Sequence, residues 1–102
     1  MKKCTTMPEV REEIDRIDRA IVPLLVERLG YIKLAGHIKQ DRDTVRDEWR
    51  VEDVISKVMA SAQSCNGNQQ MTEDVYRFLI EWSIRHEFDV YDAIKSKDEK
   101  TA

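Results

Sequence analysis

Apolar side chains between positions 10 and 38 recur at steps of three and four residues, as on an α-helix with one apolar face. They are Val10, Ile14, Ile17, Ile21, Leu24, Leu25, Ile32, Ala35 and Ile38. The pattern predicts a helix over residues 8–39, with Pro8 in its first turn and Thr5 or Thr6 as its cap. Because no turn residues flank Pro23, we expect it to kink this helix rather than to break it.

Two more helices are predicted after the polar stretch "QDRDTVRD". The second covers residues 48–64 with Asp47 as its cap. Its apolar face consists of Val51, Val54, Ile55, Val58 and Met59. The sequence "NGNQQ" at 66–70 predicts a loop, and the third helix is expected to begin near Thr72 as its cap and to end near Lys95. Residues 96–102 are predicted to form a solvated polar tail.

This order of elements predicts an all-α fold of three helices, long, short and long, in a single domain over residues 1–102 with an ordered core at about 8–95. A helix over residues 8–39 is ~48 Å long at ~1.5 Å per residue. A 100-residue domain has a radius of gyration of only ~13 Å. One chain cannot cover such a helix along its length, so we expect an intertwined homodimer.

Composition narrows the classes of partner. Charged residues make up 36% of the chain, and its formal net charge is −3, which argues against a basic surface for nucleic acid or an anionic membrane. The start "MKKCTTMPEV" lacks the apolar run of a signal peptide, and no stretch approaches the ~18 apolar residues of a membrane span. Cys4 and Cys65 are therefore expected to be reduced thiols of a cytoplasmic protein.

Two cations interrupt the apolar face of the first helix. Arg28 continues the row 14, 17, 21, 24, and Lys39 lies three turns farther on, ~16 Å along the same face. Two long cations in this arrangement are suited to bind a small dianion between them. The alternative is that Arg28 extends to solvent or pairs with an acid, and that Lys39 is a surface residue at the helix end.

Arg11 lies ~25 Å from Arg28 along the same helix and on a different face. It cannot reach the same small ligand within one chain, although the Arg11 of an antiparallel partner can. On spacing alone, an exposed arginine in the first turn is the simpler interpretation.

The third helix carries two polar residues on its inward face. Tyr76, Ile80, Ser83, Glu87 and Tyr91 share one stripe at steps of three and four residues. A carboxyl group on such a face requires a partner or a function. Glu87 therefore indicates either a ligand site or a structural salt bridge to an arginine in the core.

Common catalytic patterns are missing from the sequence. It contains no glycine-rich phosphate loop and no HExxH motif, and His37 and His86 stand alone on separate helices. The remaining set is several cations, one carboxyl group and one hydroxyl group. This set suits binding of a small dianion and electrostatic stabilisation of charge that moves within it, without covalent chemistry.

The chain resembles the all-helical (AroQ-type) chorismate mutase family over about residues 8–92. The segments that carry the resemblance are "VREEIDRIDRAIVPLLVERLGYIKLAGHIK", "VRDEWRVEDVI" and "IEWSIRHEF". The first is the most specific, since it places Arg11, Arg28 and Lys39 at the family's spacing. The family fold is an intertwined helical dimer, in agreement with the length argument.

The resemblance implies roles for individual residues. Arg28, Lys39 and Arg50 resemble the family's substrate-binding cations of one subunit, and Arg11 that of the other. Arg11 and Arg28 would bind the two carboxylates of chorismate, and Lys39 would contact the enolpyruvyl carboxylate and the ether oxygen. The remaining matched positions are Asp47, beside Arg50 on the ring side; Ser83, near a carboxylate; and Glu87, at the ether oxygen.

The implied reaction is the Claisen-type rearrangement of chorismate to prephenate, a step of the shikimate pathway to aromatic amino acids. Binding of the folded conformer supplies orientation, and Lys39 with Glu87 and Arg28 supplies electrostatic stabilisation. The reaction needs no cofactor. Only a protonated Glu87 can donate to the ether oxygen, so activity is expected to fall as Glu87 loses its proton.

One position departs from the family pattern. Many mutases place Glu directly after the arginine of the second helix, and here Val51 follows Arg50. The related isochorismate pyruvate lyases, which convert isochorismate to salicylate and pyruvate, also carry an apolar residue there. They resemble this chain less at Asp47 and Glu87, so a mutase is the first prediction and a lyase the second. A non-catalytic helical dimer is the third, and the buried charge argues against it.

Overall fold

The computed structural model describes residues 1–101, the last three of them in backbone only. Its α-helices are α1 (Met7–Ile38), α2 (Glu48–Ser64) and α3 (Gln69–Thr101), with a short 3₁₀ turn at Arg42–Thr44. Every regular element in the described range is helical, which confirms the all-α fold of a long, a short and a long helix. None of the described helices contains a stretch apolar and long enough to cross a bilayer.

The beginning of α1 follows from its local sequence. The amide of Glu9 donates to the Thr6 hydroxyl at 3.4 Å, and that hydroxyl donates to the Glu9 carboxylate at 2.8 Å. This reciprocal arrangement satisfies an amide that has no partner within the helix. Pro23 lies inside the helix, which is not divided there. The prediction that Pro23 does not break α1 is therefore confirmed.

The beginning of α2 was predicted correctly, and that of α3 was not. Asp47 caps α2 by accepting from the Arg50 amide at 3.2 Å. Helix α3 begins at Gln69 rather than near Thr72, because the Asn68 side chain accepts from the Met71 amide at 2.9 Å and acts as the cap.

The end of α3 also differs from the prediction. The helix continues past Lys95 to Thr101, since the sequence there contains no Gly or Pro to stop it. The side chains of Ser96, Lys97 and Asp98 are exposed, as predicted for the polar tail.

The chain divides into two compact units, Met1–Tyr31 and Ile32–Ala102. In the first unit the apolar row of α1 is largely exposed, with Ile14 at 51% and Leu24 at 64% of full exposure. In the second unit, Val51 and Ile55 of α2 pack against Ile80 of α3 and form its apolar core. Around this core lie the half-buried side chains of Val54, Met59, Tyr76 and Ile84.

Helices α2 and α3 are also joined by charged groups. The Arg77 guanidinium donates to both carboxylate oxygens of Glu52, at 3.1 and 3.2 Å, and to Glu73 at 2.9 Å. The hydrogen bond from Arg77 holds the pKa of the Glu52 carboxyl below its ordinary value. Arg77 and Glu52 are exposed and Glu73 is half-buried, so the contribution of these ion pairs to stability is small.

Candidate functional site

An ion pair between a half-buried lysine and a buried carboxylate joins the end of α1 to the middle of α3. The Lys39 ammonium donates to a Glu87 carboxylate oxygen at 2.7 Å. Glu87 is only 5% exposed, and the Lys39 side chain is 28% exposed. The carboxylate was predicted to need either a ligand or an arginine, and its partner here is the lysine. Loss of either group would leave the other charge poorly solvated, so the two residues depend on each other.

Gly36 allows α1 to approach α3 closely at this point. It is the buried residue of α1, and a Cβ built on it would lie 3.1 Å from Val90 Cγ1 and 3.4 Å from the Glu87 carbonyl oxygen. Lys39 follows three residues later, one turn along the chain. The close helix contact therefore brings the lysine within reach of Glu87, and a larger residue at position 36 would push the two helices apart.

The inward stripe predicted on α3 is buried. Ile80 is 5% exposed, Ser83 3% and Tyr91 6%. The Ser83 hydroxyl donates to the Leu79 carbonyl one turn earlier, at 2.7 Å. Ser83 and Glu87 are one turn apart, ~6 Å along the axis, on the same face of α3. The structure thus brings a hydroxyl, a carboxylate and an ammonium group together in one unit.

The segment between α1 and α2 completes the surroundings of Lys39. Asp41 caps the 3₁₀ turn by accepting from the Asp43 amide at 3.0 Å. The turn leads to Val45, which is buried and whose carbonyl oxygen accepts from the Lys39 ammonium at 3.3 Å. A lysine ammonium has three donors. Glu87 and Val45 therefore fix the direction of the Lys39 side chain.

Asp47 and Arg50 lie at the start of α2, where their local partners are clear. The Asp47 carboxylate accepts from the Arg50 backbone amide as the helix cap. The Arg50 guanidinium is exposed and donates to Asp53 at 2.6 Å, and Lys57 donates to the same carboxylate oxygen at 2.9 Å. Both hydrogen bonds lower the pKa of the Asp53 carboxyl, and the one from Lys57 has the larger effect. The predicted contacts of Asp47 and Arg50 with a substrate stay predictions.

Arg11 and Arg28 lie in the first unit, both on α1. Arg11 is exposed and Arg28 is half-buried. Their predicted roles as ligands of the substrate carboxylates also stay predictions.

Three features near Lys39 were not predicted from the sequence: the contact at Gly36, the Val45 carbonyl, and a hydrogen bond from the Tyr91 hydroxyl to the Gln40 carbonyl at 3.0 Å. Gly36 had a visible signal, because a glycine inside a helix pattern often marks a close approach. Backbone carbonyls leave no such signal in a sequence.

The position that departs from the mutase pattern is part of the core. Val51 is 8% exposed and packs in the cluster with Ile55 and Ile80. Ile80 lies one turn before Ser83 on the inward stripe of α3. The side chain at position 51 is therefore apolar, buried and directed toward α3.

Comparison with known proteins agrees with the all-α fold. Residues 10–88 match the family described as chorismate mutase type II. The chain is also 30% identical over 81 residues to an isochorismate pyruvate lyase of Pseudomonas aeruginosa, an alignment that covers 79% of this chain and 80% of that protein. The matched range contains Arg11, Arg28, Lys39, Ser83 and Glu87 and ends before Tyr91.

Proposed function

Because this chain belongs to the chorismate mutase type II family, we propose that it catalyses the rearrangement of chorismate to prephenate. The observation that carries the proposal is the pair of the half-buried Lys39 and the buried Glu87, with Ser83 one turn from Glu87 on the same face of α3. A half-buried ammonium group paired with a buried carboxyl is suited to a small anionic substrate. The packing of two helices against each other does not by itself require such charged and polar side chains.

The substrate of this reaction carries two carboxylates. Lys39 supplies one positive charge, and we assign Arg28 and Arg11 to the carboxylates by their positions in the family pattern. Arg50 would turn from Asp53 toward the ring side of the substrate, beside Asp47. Its exposed guanidinium leaves room for this movement, since Arg50 is 58% exposed in its side chain.

The chemistry needs orientation and charge stabilisation. In the rearrangement a C–O bond breaks and a C–C bond forms within one molecule, while negative charge develops on the ether oxygen. Lys39 would stabilise that charge, and its direction is already set by Glu87 and the Val45 carbonyl. Donors held in advance at the site of developing charge account for a large part of enzymatic rate enhancement.

Besides orienting Lys39, Glu87 can contact the ether oxygen favourably only as a neutral acid. As a carboxylate it holds Lys39 and repels the charge on the ether oxygen, whereas the protonated group can donate to that oxygen. Glu87→Gln keeps a donor and removes the charge. We expect Glu87→Gln to retain kcat/KM and Glu87→Ala to lose most of it. Equal kcat/KM in the two variants would remove Glu87 from the charge-stabilising role.

A second copy of the chain is part of the proposal. The exposed apolar row of α1 in the first unit is suited to cover by a partner, as predicted from the length of the helix. If Arg11 serves the partner's site, inactive Arg11→Ala and Arg28→Ala variants should regain activity when mixed and refolded. Verified heterodimers without activity would contradict shared sites.

An isochorismate pyruvate lyase is the second candidate. Two observations favour it: the 30% identity to a protein of that name, and the buried Val51 where many mutases have Glu. An apolar residue here cannot bind a ring hydroxyl. The same Lys39 would then stabilise charge at the ether oxygen while the C–O bond breaks and a hydrogen passes from the ring to the methylene carbon of the enolpyruvyl group, which gives salicylate and pyruvate.

Product identification decides between the candidates. Purified protein is incubated separately with chorismate and with isochorismate, and the products are quantified. Faster formation of prephenate from chorismate supports the mutase, and faster release of pyruvate with salicylate from isochorismate supports the lyase.

The remaining alternative is the non-catalytic dimer. An enzyme of either kind should be stabilised against heat by a dianionic bicyclic mimic of the transition state, through mass action. If the protein shows no turnover and the mimic does not stabilise it, the non-catalytic dimer becomes the function to pursue.

A further inference from the structure

Lys39 is held at a weak point of the backbone. Helix α1 ends at Ile38, and the amide of Lys39 makes the last helical bond, to the Ala35 carbonyl at 3.0 Å. Helix ends fray, and carbonyl groups beyond them need other partners. The direction of the Lys39 ammonium therefore depends on what holds the residues that follow it.

Tyr91 holds the next residue. It lies one turn after Glu87 on α3, is 6% exposed, and donates its hydroxyl to the Gln40 carbonyl oxygen at 3.0 Å. A buried tyrosine hydroxyl usually has a hydrogen-bond partner, and this one anchors the backbone directly after Lys39. The contact joins two residues that are 51 positions apart in the chain.

Asp92 holds Arg42, two residues after Gln40. Its carboxylate accepts two bonds from the Arg42 guanidinium, at 3.0 and 3.3 Å, and that guanidinium lies 4.5 Å from the centre of the Phe88 ring. The hydrogen bond from Arg42 holds the pKa of the Asp92 carboxyl below its ordinary value, so the pair is ionised at neutral pH. Arg42 opens the 3₁₀ turn that leads to the Val45 carbonyl.

We propose that Tyr91 and Asp92 are positioning residues, which hold Gln40 and Arg42 and thereby aim the Lys39 ammonium for the reaction. The inference rests on the proposed function of Lys39. Both residues lie after residue 88, where the family match ends, so the match assigns them no role. The Lys39 ammonium donates to Glu87 and Val45, and Tyr91 and Asp92 would act through the backbone that follows Lys39.

A positioning role predicts a specific kinetic signature. Substrate charge is bound by several cations, so a slightly displaced Lys39 should change KM little. Stabilisation of the ether oxygen depends on the orientation of this one donor, so kcat should fall. A merely structural role would instead lower the active fraction and the thermal stability.

Tyr91→Phe is the direct test, since it removes the hydroxyl and keeps the buried ring. We expect kcat to fall about tenfold while KM changes less than about twofold. Tyr76→Phe is the matched control, because Tyr76 lies on the same helix and packs against the apolar core. Unchanged kcat in Tyr91→Phe, or an equal loss in Tyr76→Phe, would overturn the proposal.

Variants of the exposed ion pair between Arg42 and Asp92 provide a second test if Tyr91→Phe does not fold. Asp92→Asn and Arg42→Gln each break the ion pair at the surface, where folding tolerates the change. We expect each to lower kcat about threefold, and the double variant to lose no more than one of them, because both remove the same contact. Normal kcat in all three would overturn the role of Asp92.

Failure of this inference can be told apart from failure of the proposed function. If the wild type converts neither chorismate nor isochorismate, the proposed function fails and this inference fails with it. If the wild type is active and the Tyr91 and Asp92 variants match it, only the positioning role is lost. Amide exchange at 41–45 should be faster in Tyr91→Phe than in wild type, and an unchanged rate also contradicts the proposal.

Discussion

The apolar row of α1 and the inward stripe of α3 show opposite relations between residue type and burial. In the first unit Ile17 is 45% exposed and Leu24 is 64% exposed. In the second unit Ser83 and Glu87 are 3% and 5% exposed. Apolar side chains thus lie in contact with solvent on one helix, while a hydroxyl and a carboxylate are buried on another.

The difference shows that the spacing of residues in the sequence defines the faces of a helix but does not tell whether a face is buried. In the described part of the chain the row on α1 is largely exposed, and the proposed second copy would cover it. The polar groups on α3 are buried because each has a partner: Glu87 has Lys39, and Ser83 has the Leu79 carbonyl. A large exposed apolar surface is typical of a protein that binds a partner, whereas satisfied buried polar groups are the rule in any folded protein.

The largest expected effect concerns the exposed row. Ile21→Asp places a charge in it, at a side chain that is 44% exposed in the single chain. If a second copy covers the row, two apolar contacts are lost per dimer, and the dissociation constant should rise by more than about a hundredfold. Sedimentation velocity measures this, with Arg19→Asp on an exposed position of the same helix as the control. If Ile21→Asp and Arg19→Asp contain the same fractions of monomer and dimer, the row is not covered by a second copy.

The next largest effect concerns the buried pair. Lys39→Ala should lower kcat by about 10²–10³-fold, the loss typical of one donor to developing charge. Lys33→Ala is the matched control, since Lys33 is an exposed lysine near the end of α1. Circular dichroism should show unchanged helix content in both. Retained turnover in Lys39→Ala would exclude this lysine from the mechanism.

A pair of glycine substitutions sharpens the comparison through stability. A Cβ at Gly36 would lie 3.1 Å from Val90 Cγ1, whereas one at Gly30 would meet nothing within 4 Å. Both Gly→Ala changes gain helix propensity, so their difference isolates the crowding against α3. We expect Gly36→Ala to be less stable than Gly30→Ala by about 1–3 kcal/mol in urea unfolding. Equal stabilities of the two variants would mean that α3 moves to accommodate the added Cβ without a loss of free energy of unfolding.

The smallest expected effect concerns the ion pairs at the surface of the second unit. Arg77 lowers the pKa of Glu52 in the folded protein, so this pair stabilises the fold above the ordinary Glu pKa and loses that effect as pH falls through the lowered value. Glu52→Gln should therefore reduce stability slightly at pH 7, and the deficit should disappear in acid once Glu52 is protonated in the folded wild type. Urea unfolding at pH 7 and in acid checks this, and a deficit that persists after protonation would contradict the assignment.

Much of the fold could be predicted because it depends on neighbours in sequence. The spacing of apolar residues predicted all three helices, and Asp47 marked the start of α2 because a cap acts on amides two or three residues away. The same spacing placed Ser83 and Glu87 on the buried face of α3. The two errors, at Asn68 and at the end of α3, concern helix ends, where competing signals are weakest.

By itself the sequence determined which residues form helices, which faces are apolar and which polar residues interrupt them. Only the tertiary structure decided that Glu87 pairs with Lys39, that Gly36 admits the close contact, and that Tyr91 anchors Gln40. The physical reason is distance along the chain: Lys39 and Glu87 are 48 positions apart. Helix periodicity operates over a few residues, whereas the partner of a buried charge is set by how whole helices pack.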